Sequence, residues 1–156
     1  MKNVVLGGIG IRRVIHELIW IGEKMSNKPN LVKNCIETPD GTILYSRHRL
    51  DHQTHLDENG KTYFTDGGLD YVRCSAHGDE IHHCVWDDEP FDKVREAIEW
   101  GTYGKDGTNP LSYKRLCDMS TEHIEAVLEN VPTISEAYKR AFRLELEFRS
   151  IREEIQ

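Results

Sequence analysis

Six of the eight histidines (His48, His52, His55, His77, His82 and His83) and two of the four cysteines (Cys74 and Cys84) fall between positions 48 and 84. Asp51, Asp57, Asp66, Asp70 and Asp79 are interleaved with them. Imidazole beside carboxylate is the donor set of zinc, iron and manganese sites, and equally the pairing used for general acid–base chemistry. His48, His52 and His55 are therefore the metal candidates, with zinc the ion to test and no other cofactor implied. His48, Asp51, His52, Asp66 and Asp70 are the catalytic candidates, and Arg49, Tyr71 and Arg73 are the residues placed to touch a ligand.

Spacing limits these readings. On a strand, His48 and His52 share a face and His55 lies on the other, while Arg49 and Asp51 are predicted to pair. His82, His83 and Cys84 cannot all bind one ion from a regular strand, because consecutive side chains diverge. Asp66 precedes Gly67-Gly68, where its carboxylate is expected to accept backbone hydrogen bonds in a turn. Asp70 and Tyr71 follow the glycines, a pattern shared by ligand-approaching loops and tight strand crossings.

The elements that must position these residues change character near Trp86. From Leu31 to Trp86 the periodicity is that of short strands. Thr38-Pro39-Asp40-Gly41 and Asp57-Glu58-Asn59-Gly60 are turn signals, and Gly67-Gly68 and His77-Gly78-Asp79 mark further breaks. Five or six strands are predicted there. Beyond Trp86 the period becomes helical. Pro90 suits a first helical position before Phe91, Val94, Ala97 and Ile98, and the stretch 101–110 reads as a loop. LSYKRLCDM reads as a turn or short helix. Ser120 is a cap for a helix carrying Ile124, Val127, Leu128 and Val131. Thr133 and Glu136 form a capping box for a last helix of about 22 residues. Along it Ile134, Ala137, Ala141, Leu144, Phe148, Ile151 and Ile155 make a heptad seam,. Such a seam either packs across the β unit or, through residues 134–155, joins a second copy or a partner.

The expected fold is therefore α+β. A small antiparallel β meander over 25–86 is followed by a helical unit over 87–156 that packs on it, with three helices, the last long. Residues 1–24 read differently. GGIG lacks the remaining glycine and the βαβ context of a phosphate loop. Gly22-Glu23-Lys24-Met25 back-translates to a ribosome-binding site before a start codon, so translation is expected to begin at Met25, with 1–24 a non-native leader. If real, Val14, Ile15, Leu18 and Ile19 give a short amphipathic helix.

Composition narrows the class. The 156 residues are 38% hydrophobic and 30% charged, with a formal charge of −7. Residues 1–24 carry a small positive excess, whereas 25–85 and 86–156 are both negative, the last most strongly. This argues against a phosphate-backbone binder, since nucleic-acid affinity rests on basic groups releasing counterions. Arg47, Arg49 and Arg73 near Tyr45, Tyr63 and Tyr71 could hold a single strand, but the balance makes that the weakest reading. No apolar run approaches the roughly 18–20 residues of a bilayer span. The four cysteines show no CxxC spacing and no secretory signal is evident, so reduced thiols in a cytoplasmic compartment are expected.

Ser46-Arg47-His48-Arg49 with Asp51, Thr54-His55, then Asp66-Gly67-Gly68-Leu69-Asp70-Tyr71 with Arg73, resembles a family of small phage and bacterial proteins. The match covers roughly 35–74. Some shorter relatives resemble a zinc ribbon with paired cysteines. Here Glu37, Asp40, His55 and Asp57 stand at those places, and Leu50 where relatives often carry a second histidine. The resemblance thus implies a ribbon-like scaffold without its cysteine knuckles. Trp100-Gly101-Thr102-Tyr103-Gly104, Pro110-Leu111 and Asp118-Met119-Ser120-Thr121-Glu122-His123-Ile124 resemble a helical module of phage reading frames, with His123 near the helix start. What the resemblance implies is a phage accessory protein in the host cytoplasm. Two functions from different classes follow. One is a non-enzymatic factor binding a host or phage protein, in host takeover or anti-defence. The other is a small metal-dependent hydrolase or nucleotide-processing enzyme using the His/Asp cluster.

Overall fold

The computed structural model describes residues 28–154. The glycine-rich start, the helical spacing at Val14–Ile19, Met25 and Ile155 lie outside them. Among the described residues there are nine strands and three α-helices in an α+β arrangement. The strands are β1 Leu31–Glu37, β2 Ile43–Ser46, β3 Gln53–Leu56, β4 Thr62–Asp66, β5 Arg73–Cys74, β6 Ile81–His82, β7 Val85–Trp86, β8 Glu99–Thr102 and β9 Ser112–Arg115. The helices are α1 Phe91–Ala97, α2 Thr121–Asn130 and α3 Glu136–Glu154, with a 3₁₀ turn at Leu116–Asp118.

All strand pairings are antiparallel. β1 pairs with β2 from Asn34↔Ser46 to Glu37↔Ile43, and with β7 and β6 on successive stretches. β3, β4 and β5 form a second sheet, and β8 and β9 a two-stranded third. β1 is buried along almost its whole length, which explains its near-continuous apolar sequence. It serves two cores. Ile36 joins Leu44 and Tyr63 beneath the second sheet. Val32 joins Val85 and the helical residues Phe91, Val94, Ile124, Phe142 and Leu144.

The helices begin and end as local chemistry dictates, with two departures from expectation. Ser120 caps α2, its hydroxyl accepting from the His123 amide at 3.2 Å, as predicted. Pro90 stands one position earlier than expected, as the extended residue before α1. At α3 the capping box does not form. Ser135 takes the cap, accepting from the Tyr138 amide at 3.2 Å, and the helix starts at Glu136. Within the described residues, three positions of the heptad seam are buried in the chain's own core. Ile134, Ala141 and Leu144 are buried together with the off-seam Phe142, so the helix buries a face broader than a coiled-coil stripe,.

Two buried carboxylates hold the parts together. Asp87 accepts from the Asn30 amide (2.7 Å), the Asn30 side chain (2.8 Å) and Arg140 of α3. Glu145 of α3 receives both Arg95 of α1 and Arg149. A further correction concerns 99–115. Within LSYKRLCDM, Ser112–Arg115 is a strand and only Leu116–Asp118 forms the expected short helical turn, while the glycine-rich loop connects the β8–β9 hairpin, so the second half is not wholly helical. The hairpin docks on β2 through Arg47. That guanidinium lies between the Tyr45 and Tyr113 rings (4.2 and 4.5 Å) and donates to Glu99 at 3.0 Å.

Candidate functional site

The segment 47–52 is a loop rather than the start of a strand, since β3 begins only at Gln53. The loop is built from its own first turn, in which the Asp51 amide donates to the His48 carbonyl at 2.8 Å. The Asp51 carboxylate accepts from the Arg47 amide (2.8 Å) and from Gln53. Across from it, 67–72 forms a second turn, with the Asp70 amide on the Gly67 carbonyl at 3.1 Å.

Two buried polar side chains lock these loops together. Asn34, at the centre of β1, donates to the carbonyls of Asp66 (2.9 Å), Gly68 (2.9 Å) and Tyr71 (3.3 Å). Its carbonyl accepts from Thr65 Oγ1 at 2.9 Å. The Ser46 hydroxyl donates to the Asp51 carbonyl at 2.6 Å and accepts from the Gly68 amide at 2.9 Å. Neither residue was among the sequence-derived candidates. The available signal was a lone asparagine inside the apolar run LVKNCIE, whose amide must be satisfied when buried.

The outer face carries most of the sequence-derived candidates. Asp66 is buried and accepts from Arg73, while His52 Nδ1 stands 3.4 Å from the same carboxylate. The His52 ring stacks on Phe64 with centroids 5.6 Å apart. Arg49 faces Asp70 at 3.8 Å rather than its expected partner Asp51. Leu50 (86% exposed), Tyr71 (44%) and Val72 project outward. His48 is exposed on the same loop. The structure therefore brings His52, Asp66 and Arg73 together, and sets Arg49, Asp70 and Tyr71 beside them.

His55 is elsewhere. Its Nε2 lies 2.6 Å from Asp40 and 3.3 Å from Thr42, tying β3 to the 38–42 turn. His83 pairs with Glu37 at 2.7 Å, and His77 contacts the Thr62 carbonyl at 2.8 Å. Among the described residues, no group of three or more histidine, cysteine, aspartate or glutamate side chains converges in a way that could hold a metal ion. The arginine–tyrosine set is likewise divided. Tyr63 is buried with its hydroxyl on Asp79, and Arg47 is committed to Glu99.

Apart from these loops the structure holds an open groove of about 580 Å³. Lys33, Cys35, His83, Cys84, Glu99 and Arg115 are among its lining residues. Burial pushes the Cys35 thiol up from its usual range. That is the opposite of what a nucleophilic cysteine needs.

The Arg73 guanidinium holds the Asp66 carboxyl below the ordinary carboxylate range, with help from His52 and the Gly67 amide and against the opposing effect of desolvation. A carboxyl whose folded pKa is depressed contributes stability above its unfolded value, about 3.9, and loses it as pH falls through the folded value. Asp66→Asn is therefore expected to be less stable than the parent at pH 7, with the gap closing as pH is lowered below about 4. Urea unfolding at pH 7 and pH 3 measures this. A gap unchanged by pH would mean that the Asp66 charge contributes nothing. No family model, no curated protein and no solved structure matches this chain.

Proposed function

We propose that this chain is a non-enzymatic protein-binding factor whose docking face is formed by the paired loops 47–52 and 67–73. The observation that carries the reading is the combination of a pinned backbone and outward apolar and cationic side chains. Asn34 and Ser46 fix the loops from below. Leu50, Tyr71 and Val72 are exposed on these loops, as are the side chains of Arg49 (74%) and Arg73 (62%). A preordered loop pair loses little entropy on association. Tyrosine and arginine are the residues most enriched where binding energy concentrates.

Exposure and charge together suggest the kind of partner. Arg49 stands against Asp70 and Arg73 against Asp66, so the charges of the face are close to balanced. Such a face suits a protein surface that offers a pocket for Leu50 with polar groups of both signs around it,. The resemblance of the same residues to small phage proteins makes a host protein the expected target and the host cytoplasm the expected compartment. No helix among the described residues is long and apolar enough to cross a membrane, which fits that setting.

The test is affinity capture from host lysate with the parent chain and an Arg49→Glu/Leu50→Asp variant, with circular dichroism to confirm folding. One partner is expected to be retained by the parent and weakened at least about 30-fold by the variant, the size of a typical hot-spot loss. Equal retention by a folded variant would remove these loops as the docking face.

A further inference from the structure

The β8–β9 hairpin offers a second surface, independent of the paired loops. Among the described residues β9 pairs with β8 alone, and all four of its residues are exposed. An edge of this kind presents backbone N–H and C=O groups that a further strand can take up. The hairpin also carries large apolar residues facing solvent: Tyr103, Leu111 and Tyr113. Leu111 and Tyr113 lean over Gly101 of β8, each within 3.2 Å of where a Cβ would stand, so they form one platform. Arg47 stacks on the Tyr113 ring and steadies it from the body of the protein.

We propose that the outer edge of β9 is a strand-addition site for an extended acidic segment of a partner protein. Charge selects the occupant. Lys114 and Arg115 follow one another on opposite faces of this four-residue strand, which itself carries no carboxylate,. A second copy pairing edge to edge therefore offers Lys114 no opposite charge. A segment bearing carboxylates gains from the same geometry. With alternating faces, Lys114 meets a carboxylate while Tyr113, on the opposite face, meets an apolar side chain. Arg115 already donates to Asp118 at 2.6 Å, so Lys114 is the cation that discriminates.

The probe is a capped nonapeptide of alternating valine and glutamate, with a valine–lysine peptide as its counterpart. Hydrogen exchange of the full chain is followed at the amides of 112–115, and a labelled peptide is titrated by fluorescence anisotropy. The glutamate peptide is expected to slow exchange on β9 and the lysine peptide to leave it unchanged. Lys114→Glu is expected to weaken the glutamate peptide about 5-fold or more. Arg49→Glu/Leu50→Asp is expected to leave the affinity as it was, which keeps this site separable from the loop face. Indifference to peptide charge, protection mapped away from 112–115, or protection that rises with the concentration of the chain alone would each overturn the proposal. The last of these would identify the edge as a self-association surface. The absence of any protection would also overturn it, reducing the β9 cations to guards against edge pairing.

Discussion

Glu145→Ala is expected to lower the unfolding free energy by about 3–5 kcal/mol. Glu145 is fully buried, and its two oxygens receive Arg95 Nε and a second Arg95 nitrogen at 2.6 Å each, and Arg149 Nε at 2.8 Å. Arg149 also reaches Thr121 Oγ1 (3.2 Å) and the Leu116 carbonyl (3.3 Å). Arg95 lies over the Phe148 ring at 4.7 Å. Removing the carboxylate leaves two largely buried guanidinium groups, Arg95 and Arg149, without the charge that balances them. The asymmetry is instructive. Breaking one partner of a buried ion pair is costly, whereas replacing the whole set by apolar groups of similar volume is often neutral or stabilising. The triple change Arg95→Met/Glu145→Leu/Arg149→Met is therefore expected to recover much of the loss. Glu136→Ala provides the contrast. It removes an exposed pair with Lys139 and should cost less than about 1 kcal/mol. Urea midpoints of the four proteins decide the matter, and a Glu145→Ala cost as small as that of Glu136→Ala would show that the cluster does not hold α1 to α3.

How much of this was legible in the sequence depended on whether a signal was local. The turns at 38–41 and 57–60 and the Ser120 cap were readable because the residues that make them are within four positions of one another. The seam of α3 was readable for the same reason, and its partners were not. Glu145 stands between seam residues and looks like solvated surface until Arg95, 50 positions away, is brought beside it. The loop 47–52 reads as part of the following strand because the turn signals at 38–41 and 57–60 leave no glycine or proline break within it. What decides its shape is Ser46 bonding Gly68, and Asn34 bonding the turn beyond, at separations of 22 to 37 residues. β9 was missed because SYKR has no buried face to give a strand its alternation. The candidate site was thus half visible. Its outer residues could be named from type and spacing, but the two side chains that fix them carry no surface chemistry.

Gly68→Ala is expected to test that arrangement more directly than any surface variant. Gly68 has φ +55°, a conformation an L side chain adopts at a cost of about 1–2 kcal/mol,. An added Cβ would also fall 2.3 Å from the His48 carbonyl carbon and 2.7 Å from the Arg49 amide nitrogen. Those are backbone atoms and cannot rotate away, so the two loops must separate and the Ser46 and Asn34 bonds must lengthen. Gly60→Ala isolates the first effect, since Gly60 has φ +77° and open space around the added carbon. Chemical unfolding should show a loss of about 1 kcal/mol for Gly60→Ala and about 3 kcal/mol or more for Gly68→Ala. Partner capture adds a readout that stability alone does not move. At a temperature where both variants are folded, Gly68→Ala should lose the partner retained by Gly60→Ala, because Leu50 and Tyr71 no longer share one rigid face. If the two variants bind alike, the contact between Gly68 and His48 is not what shapes the docking surface, and the binding energy must come from one loop acting alone.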